Sequence, residues 1–454
     1  MYDAIVIGAG VAGCDVAIEL ASAGKTVCLI DKSEAHVGGT CLNEGCIPAK
    51  NFLETASYIK KSSYFKNCGV DLTLNSFDIE GLKHNTSELI AQLKGGVFAQ
   101  LKKHNVELRY ATASFVDKNT ICVRDDNTNE LIRAKNIIIA TGSMHKNHPS
   151  IALAEDKIIS SKEVFALKEI PKSILIIGGG AIGCEFATFF NALGCEVQIS
   201  EFTPNLVPSE DVDVAKALKR ELEKQGIKVH LKSNVIEHEI VDEGVQITLD
   251  LGKKQEVKTY DKVLISIGRS PNTASLNLNK VGIKSDRGFI EVNSELQAIG
   301  TDYIYAIGDA LKSPALAHIA SYEAKRVAQS ILEKETMDEK TIFPSVIFCT
   351  PQVASIGQSE KELKELEIDF KVKKHFFKSS GKAKIKGDDS GFVKIMVETN
   401  TQKILGAAII GNEATELIHQ FLIAINSNLS TEDLSKMIFA HPTLSEVILE
   451  MVHT

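Results

Sequence analysis

The chain has 454 residues, 44% hydrophobic and 24% charged, with a formal net charge of −8. One hydrophobic core stops growing at about 250–300 residues, so two or more domains are expected in an ordinary soluble globular protein. Acidic and basic residues are interspersed across the chain, which argues against a nucleic-acid or anionic-lipid partner. The apolar runs, such as 137–140 and 174–177, are far shorter than the ~20 residues a membrane helix needs.

The first apolar strand follows Met1-Tyr2-Asp3 at once, with no charged n-region and h-region, which predicts no signal peptide. From 4 to 31 the order is strand, glycine-rich turn, helix over 11–23, and strand ending at Asp31. Helices are predicted over 51–61 and 82–104, the second broken at Gly95-Gly96. Short strands follow around 107–116 and 120–123, and the run 137–140 reads as a buried strand meeting a turn at Thr141-Gly142. The pattern then restarts: strand 173–177, glycine-rich turn, helix closing near Gly194, strand ending at Glu201. Further strands are expected over 262–267 and 302–307. From Phe343 the texture changes to antiparallel strands at 393–397 and 404–410 and helices at 415–426 and 431–437. The expected fold class is α/β, with two Rossmann-like dinucleotide-binding domains and a C-terminal α+β domain.

Two turns carry the strongest signal. Gly8, Gly10 and Gly13 follow a strand and open a helix, with Asp31 23 positions after Gly8. Gly178, Gly180 and Gly183 repeat this, with Glu201 23 positions after Gly178. The first glycine makes the tight turn, the second lets backbone approach a pyrophosphate, and the third lets helix and strand pack. The helix N-terminus offers N–H groups and partial positive charge to phosphate, and the acid receives ribose hydroxyls. Glu201 would repel a 2′-phosphate, and the next cation after it is Lys216, so NAD is favoured over NADP.

Nine cysteines, an odd number at low density, suit a reducing compartment such as the cytoplasm. Cys41 and Cys46 are five apart at the start of a predicted helix. They can come within disulfide range only if the first turn is distorted, which Gly45 helps permit. A helix N-terminus also lowers a thiol pKa. Spacing alone leaves three readings open: a redox pair, a zinc half-site, or two core cysteines. The zinc reading lacks CxxC spacing and a second ligand pair.

Taken together, several segments resemble the pyridine nucleotide–disulfide oxidoreductases, in particular their dihydrolipoyl-oxidising branch. They are Gly8–Gly13, Gly39-Thr40-Cys41 through Cys46-Ile47-Pro48-Ala49-Lys50, Ala140-Thr141-Gly142, Gly178–Glu185, Gly268-Arg269-Ser270-Pro271-Asn272, Tyr305-Ala306-Ile307-Gly308-Asp309 and Ala440-His441-Pro442-Thr443-Leu444-Ser445-Glu446. The resemblance covers essentially the whole chain. One departure is Phe439, where the family often carries a histidine.

The resemblance implies the following. Residues 1–145 and 271–340 form an FAD-binding part, 146–270 an NAD-binding domain, and 341–454 a dimerisation domain. FAD would lie on the first turn with Asp31, Thr141, Gly142, Asp309 and Ala317; NAD would lie on the second with Glu201 and Gly268. Lys50 and Glu185 would form a pair beside the flavin. Cys41 would meet substrate and Cys46 the flavin. His441, oriented by Glu446, would act as base in the partner subunit's site, which makes the enzyme a homodimer with shared active sites. The substrate would be a dihydrolipoyl group on a carrier protein of a 2-oxo acid dehydrogenase or glycine-cleavage system. The rivals are an NADPH-dependent reductase of a small disulfide and a redox sensor or assembly subunit with little turnover.

Overall fold

The computed structural model describes residues 1–72, 74–154, 156–334, 337 and 342–453. The chain divides into two compact units: Met1–Asn51, Glu80–Lys146 and Gly268–Lys340 form one, and Phe52–Ile79, Asn147–Ile267 and Thr341–Thr454 the other.

In the first unit a parallel sheet runs in the order Glu107–Tyr110, Val27–Asp31, Tyr2–Ile7, Asn129–Ile139, Ile304–Ala306. Its central strands are unbroken apolar runs because both faces are covered; Ala4 to Ile7, Val27 to Ile30 and Ile137 to Ile139 are all buried. The strand Asn129–Ile139 serves two sheets. Its far half lies in the parallel sheet, and its near half pairs antiparallel with Thr120–Arg124, which pairs in turn with Thr112–Asp117. The helices Val11–Ser22 and Ala317–Ile331 pack together, and Ser321 donates to Asp15 at 2.6 Å.

The second unit holds another parallel sheet, in the order Lys228–Leu231, Glu196–Glu201, Ser173–Ile177, Lys262–Ile265, Ile158–Ser160. A three-stranded antiparallel sheet follows over Asn234–Val241, Gly244–Asp250 and Gln255–Tyr260. The C-terminal part is a five-stranded antiparallel sheet ordered Pro344–Ile347, Gln352–Gly357, Ile404–Gly411, Phe392–Glu398, Phe370–Phe376. Helices Ala414–Asn426 and Glu446–His453 pack on it through a core that includes Ile395, Ile418, Phe421 and Ile448. Two Rossmann-like parallel-sheet folds and a C-terminal α+β part are therefore present.

Two elements differ from expectation. One helix runs over Ile79–Lys103, unbroken at Gly95-Gly96. Both glycines are exposed and a Cβ at either would meet nothing within 4 Å, so no packing demand bends the backbone there. Two glycines cost a helix about 2 kcal/mol, which the flanking helix formers and the buried Leu82 and Leu101 offset. The other long helix spans Cys46–Asn67, beginning at the second cysteine itself.

Candidate active site

The two glycine-rich turns have matching geometry. A Cβ on Gly13 would lie 1.8 Å from the Gly8 carbonyl oxygen, and one on Gly183 would lie 2.0 Å from that of Gly178. Gly8 and Gly178 have φ of +107° and +106°, and their Cβ atoms would collide with the carbonyls of Ala140 and Ser266. The middle glycines face space: a Cβ on Gly180 meets nothing within 4 Å, and one on Gly10 meets only Gly39 Cα at 3.8 Å. That is the cradle a pyrophosphate requires.

Each acid closes its turn. Asp31 accepts the Ala9 N–H at 2.6 Å, and Glu201 accepts the Gly179 N–H at 2.6 Å and the Thr203 N–H at 2.7 Å. Around the first turn, the buried Thr141 hydroxyl oxygen has no hydrogen-bond partner among the described residues. A buried hydroxyl without a partner is costly, so this atom points to a polar ligand. Gly142 beside it (φ +66°) and Gly268 (φ +105°) both border open space. Asp309 accepts a hydrogen bond from the Ser143 hydroxyl, and Arg269 Nε lies 3.8 Å from the same carboxylate while donating to Ser143 Oγ at 2.6 Å. Ala317 is the first residue of the helix Ala317–Ile331. The residues on both turns thus fit dinucleotide ligands.

Cys41 lies in the short helix Gly39–Asn43, and Cys46 opens the helix that follows. The break between the two helices is the distortion the spacing requires. Gly45 sits there, with its Cβ position 2.9 Å from the Thr40 carbonyl oxygen. Both cysteines are thiols and hydrogen-bond to one another. That hydrogen bond, with burial, pushes the Cys41 thiol far above its ordinary value, and the nearby Lys50 ammonium opposes the shift. The two thiols titrate as a pair, with Lys50 favouring the charged form. Desolvation pushes the buried Cys14 thiol up to about 12 and raises the buried Cys184 thiol as well, as for core cysteines.

The family models decide the broader identity. The description "Pyridine nucleotide-disulphide oxidoreductase" matches residues 2–324, and that family's dimerisation domain matches residues 343–452. The chain belongs to the pyridine nucleotide–disulfide oxidoreductases. Among similar proteins, mitochondrial dihydrolipoyl dehydrogenase of Pisum sativum is 37% identical over 454 residues, covering 99% of this chain and 90% of that protein. Leghemoglobin reductase of Vigna unguiculata is 36% identical over 453 residues, covering 99% and 86%. The solved structure of the HOCl-induced flavoprotein disulfide reductase RclA from Escherichia coli is 28% identical, with a TM-score of 0.88 and coverage of 100% of this chain and 99% of that one. FAD and NAD are the cofactors of this oxidoreductase family.

The remaining residues singled out by family resemblance lie in the second unit. Glu185 is buried and accepts the Phe348 N–H at 2.9 Å. His441 Nδ1 lies 2.8 Å from Glu446 Oε1, and Glu446 Oε2 accepts the Thr443 N–H at 2.8 Å. The Thr443 N–H and then His441 hold the Glu446 carboxyl below the usual range, so it stays an acceptor. A carboxylate only accepts, so Nδ1 must carry a proton, which leaves Nε2 of the neutral ring as its free lone pair. The His441 side chain is 81% exposed, so that lone pair faces outward. No spacing rule announces Ser143 and Arg269, which hold Asp309 from 166 and 40 positions away in sequence. No helix among the described residues is long and apolar enough to cross a membrane.

Proposed function

We propose that this oxidoreductase is a dihydrolipoyl dehydrogenase: it oxidises the dihydrolipoyl group of a carrier protein, of a 2-oxo acid dehydrogenase or glycine-cleavage system, at the expense of NAD. The observation that carries the reading is the hydrogen-bonded Cys41–Cys46 pair at a helix start, reached directly from a glycine-rich nucleotide turn. In this reading FAD lies on the first turn with Asp31, Thr141, Gly142, Asp309 and Ala317. NAD lies on the second with Glu201 and Gly268. Glu185 balances Lys50.

In the oxidised enzyme Cys41 and Cys46 are joined as a disulfide. His441 Nε2, supplied by the partner subunit of a homodimer, takes a proton from one substrate thiol while Glu446 steadies the ring. The thiolate attacks Cys41 sulfur, forming a mixed disulfide and releasing Cys46 as thiolate. The second substrate thiolate closes the lipoyl ring and expels Cys41, so two electrons now reside on the enzyme pair. The Lys50 ammonium, which favours the charged form of the Cys41 thiol, offsets negative charge on the reduced pair. FAD, when bound, supplies the two-electron path from this pair to NAD. The domain limits that go with this reading are 1–145 and 271–340 for FAD, 146–270 for NAD and 341–454 for the dimer contact. A reducing compartment, the cytoplasm, suits the odd number and low density of cysteines.

The test is an anaerobic assay of the purified protein with dihydrolipoamide and NAD, run beside NADP and beside glutathione disulfide with NADPH. Rapid NAD-linked dihydrolipoamide oxidation is expected. Strong NADPH-dependent glutathione turnover without dihydrolipoamide activity would overturn the substrate assignment. Normal FAD content without any turnover would favour a sensor.

A further inference from the structure

Gly179, between the first two glycines of the second nucleotide turn, is held from both sides. Its N–H donates to Glu201 Oε2 at 2.6 Å, and its carbonyl accepts the Val207 N–H at 2.8 Å. A Cβ at Gly179 would stand 2.5 Å from Leu206 Cδ2, so the segment around Val207 lies directly on the turn. Leu206 and Val207 are both buried.

That segment is held in a conformation it would not choose alone. Val207 has a φ of +40°, and of the non-glycine residues with positive φ it alone, among the described residues, is β-branched. A branched Cβ crowds the backbone there, and Pro208 restricts its predecessor further. Such a conformation persists only where the surroundings over-determine it.

The C-terminal sheet supplies those surroundings. The Glu210 N–H closes a turn onto the Val207 carbonyl at 2.8 Å, and the Glu210 carboxylate accepts the Ser345 hydroxyl at 2.8 Å. Asp211 caps the helix Val212–Lys224 and accepts from Lys394 Nζ at 3.0 and 2.8 Å. Lys394 lies on the strand Phe392–Glu398, is 1% exposed, and also meets Asp213 at 3.2 Å and Glu360. Burial lowers the Lys394 ammonium, but hydrogen bonds to Asp211 and Glu360 outweigh it and keep the side chain charged. A buried cation is held in place by its carboxylates, and they by it. Beyond the far end of the same helix, Gln225 Nε2 donates to the Thr350 carbonyl at 2.8 Å.

We infer that Lys394 is a positioning residue for the nicotinamide nucleotide: through Asp211 and the Glu210–Val207 turn it holds Val207 against Gly179 and so keeps the second turn shaped for a pyrophosphate. The inference rests on the reading above that this turn holds NAD. Ser345 acts in the same direction through Glu210. Without that grip Val207 relaxes to negative φ, its N–H leaves the Gly179 carbonyl, and Glu201 alone holds the turn.

The experiment uses the full-length, flavin-loaded enzyme and compares wild type with Lys394→Met and with the milder Ser345→Ala. NADH is titrated by calorimetry, and exchange of the Val207 amide is followed by mass spectrometry of its peptide. Lys394→Met should raise the NADH Kd roughly tenfold, within the range for substitutions along a contact network. Val207 exchange should quicken and KM for NAD should rise with kcat held. Flavin content and dye-linked dithiol oxidation should match wild type. Ser345→Ala should move the same readings the same way by less. Adding Val207→Gly to Lys394→Met should recover part of the NADH affinity, because glycine adopts positive φ freely. An unchanged NADH Kd in folded Lys394→Met enzyme, or an equal fall in flavin content and NADH affinity, overturns the inference. If Lys394→Met does not fold, Ser345→Ala decides by the same readings. Gly183→Ala tests the parent reading separately: if that variant binds NADH like wild type, the second turn is not the NAD site and the inference falls with it.

Discussion

The two glycine-rich turns are near copies in backbone, yet they are wired to different things. In each, the carbonyl of the second turn residue accepts from a segment beyond the next strand. Gly38 N–H donates to Ala9 at 2.8 Å, and Val207 N–H donates to Gly179 at 2.8 Å. After Gly38 the chain enters the helix holding Cys41; after Val207 it leads to the helix Val212–Lys224, capped by Asp211. A Cβ on Gly39 would stand 2.7 Å from Gly10 Cα, so the first turn and the cysteine segment share one close backbone contact. The second turn is backed by the Leu206 side chain instead. The same turn geometry thus runs on into the cysteine segment in one case and toward the helix Val212–Lys224 in the other.

That contrast can be broken by substitution. Gly39→Ala places a methyl group against Gly10 backbone at a φ of +66°, and should abolish both flavin retention and dithiol turnover. Gly183→Ala, with its Cβ 2.0 Å from a carbonyl oxygen, should leave flavin and dye-linked dithiol oxidation intact. It should cut NAD reduction at least tenfold, from the ~1–3 kcal/mol cost of overpacking. Absorbance for bound flavin, with dye and NAD assays side by side, separates the two. Loss of flavin from Gly183→Ala would contradict the separation.

The proposed base belongs to neither turn. His441→Gln should lower turnover roughly 10²–10⁴-fold, the usual range for a positioned general base, with flavin content and NAD affinity unchanged by titration.

Acid–base behaviour should also distinguish the halves. Burial raises the Glu323 carboxyl, which accepts the Gly308 N–H at 2.6 Å, from 4.5 to about 7. Between those values the folded state binds more protons than the unfolded one, so stability falls as pH rises from about 4.5 to about 7. A shift of that size amounts to roughly 3 kcal/mol. Glu323→Gln should flatten the urea-unfolding free energy across this window, whereas substitutions around the second turn should leave the slope in place. The smallest expected effect is at Glu201. Glu201→Gln should weaken NAD by about tenfold through lost ribose hydrogen bonds, and should narrow the preference over NADP in parallel kinetics.

Much of this was legible from residue order because covalent spacing dictates it. A glycine triplet between strand and helix, with an acid 23 positions on, leaves the backbone few choices, and both copies formed as expected. Short-range chemistry was equally readable: Glu446 lies five residues from His441 and binds it. Long-range chemistry was not. Glu323 meets Gly308, Arg269 meets Asp309, and Lys394, only 1% exposed, is enclosed by Asp211, Asp213 and Glu360. Those pairings are set by tertiary packing, which no local periodicity encodes. Gly95-Gly96 misled for the converse reason, since local propensity gave way to a continuous helix.

The central claim is that substrate electrons pass through Cys41 and Cys46. Its most direct test is anaerobic thiol trapping: oxidised holoenzyme is mixed with dihydrolipoamide in the absence of NAD, alkylated, and mapped by peptide mass. Two newly alkylated positions, Cys41 and Cys46, that revert when NAD is added before the trap are predicted. Unchanged labelling at both cysteines, alongside continuing NAD reduction, would contradict it.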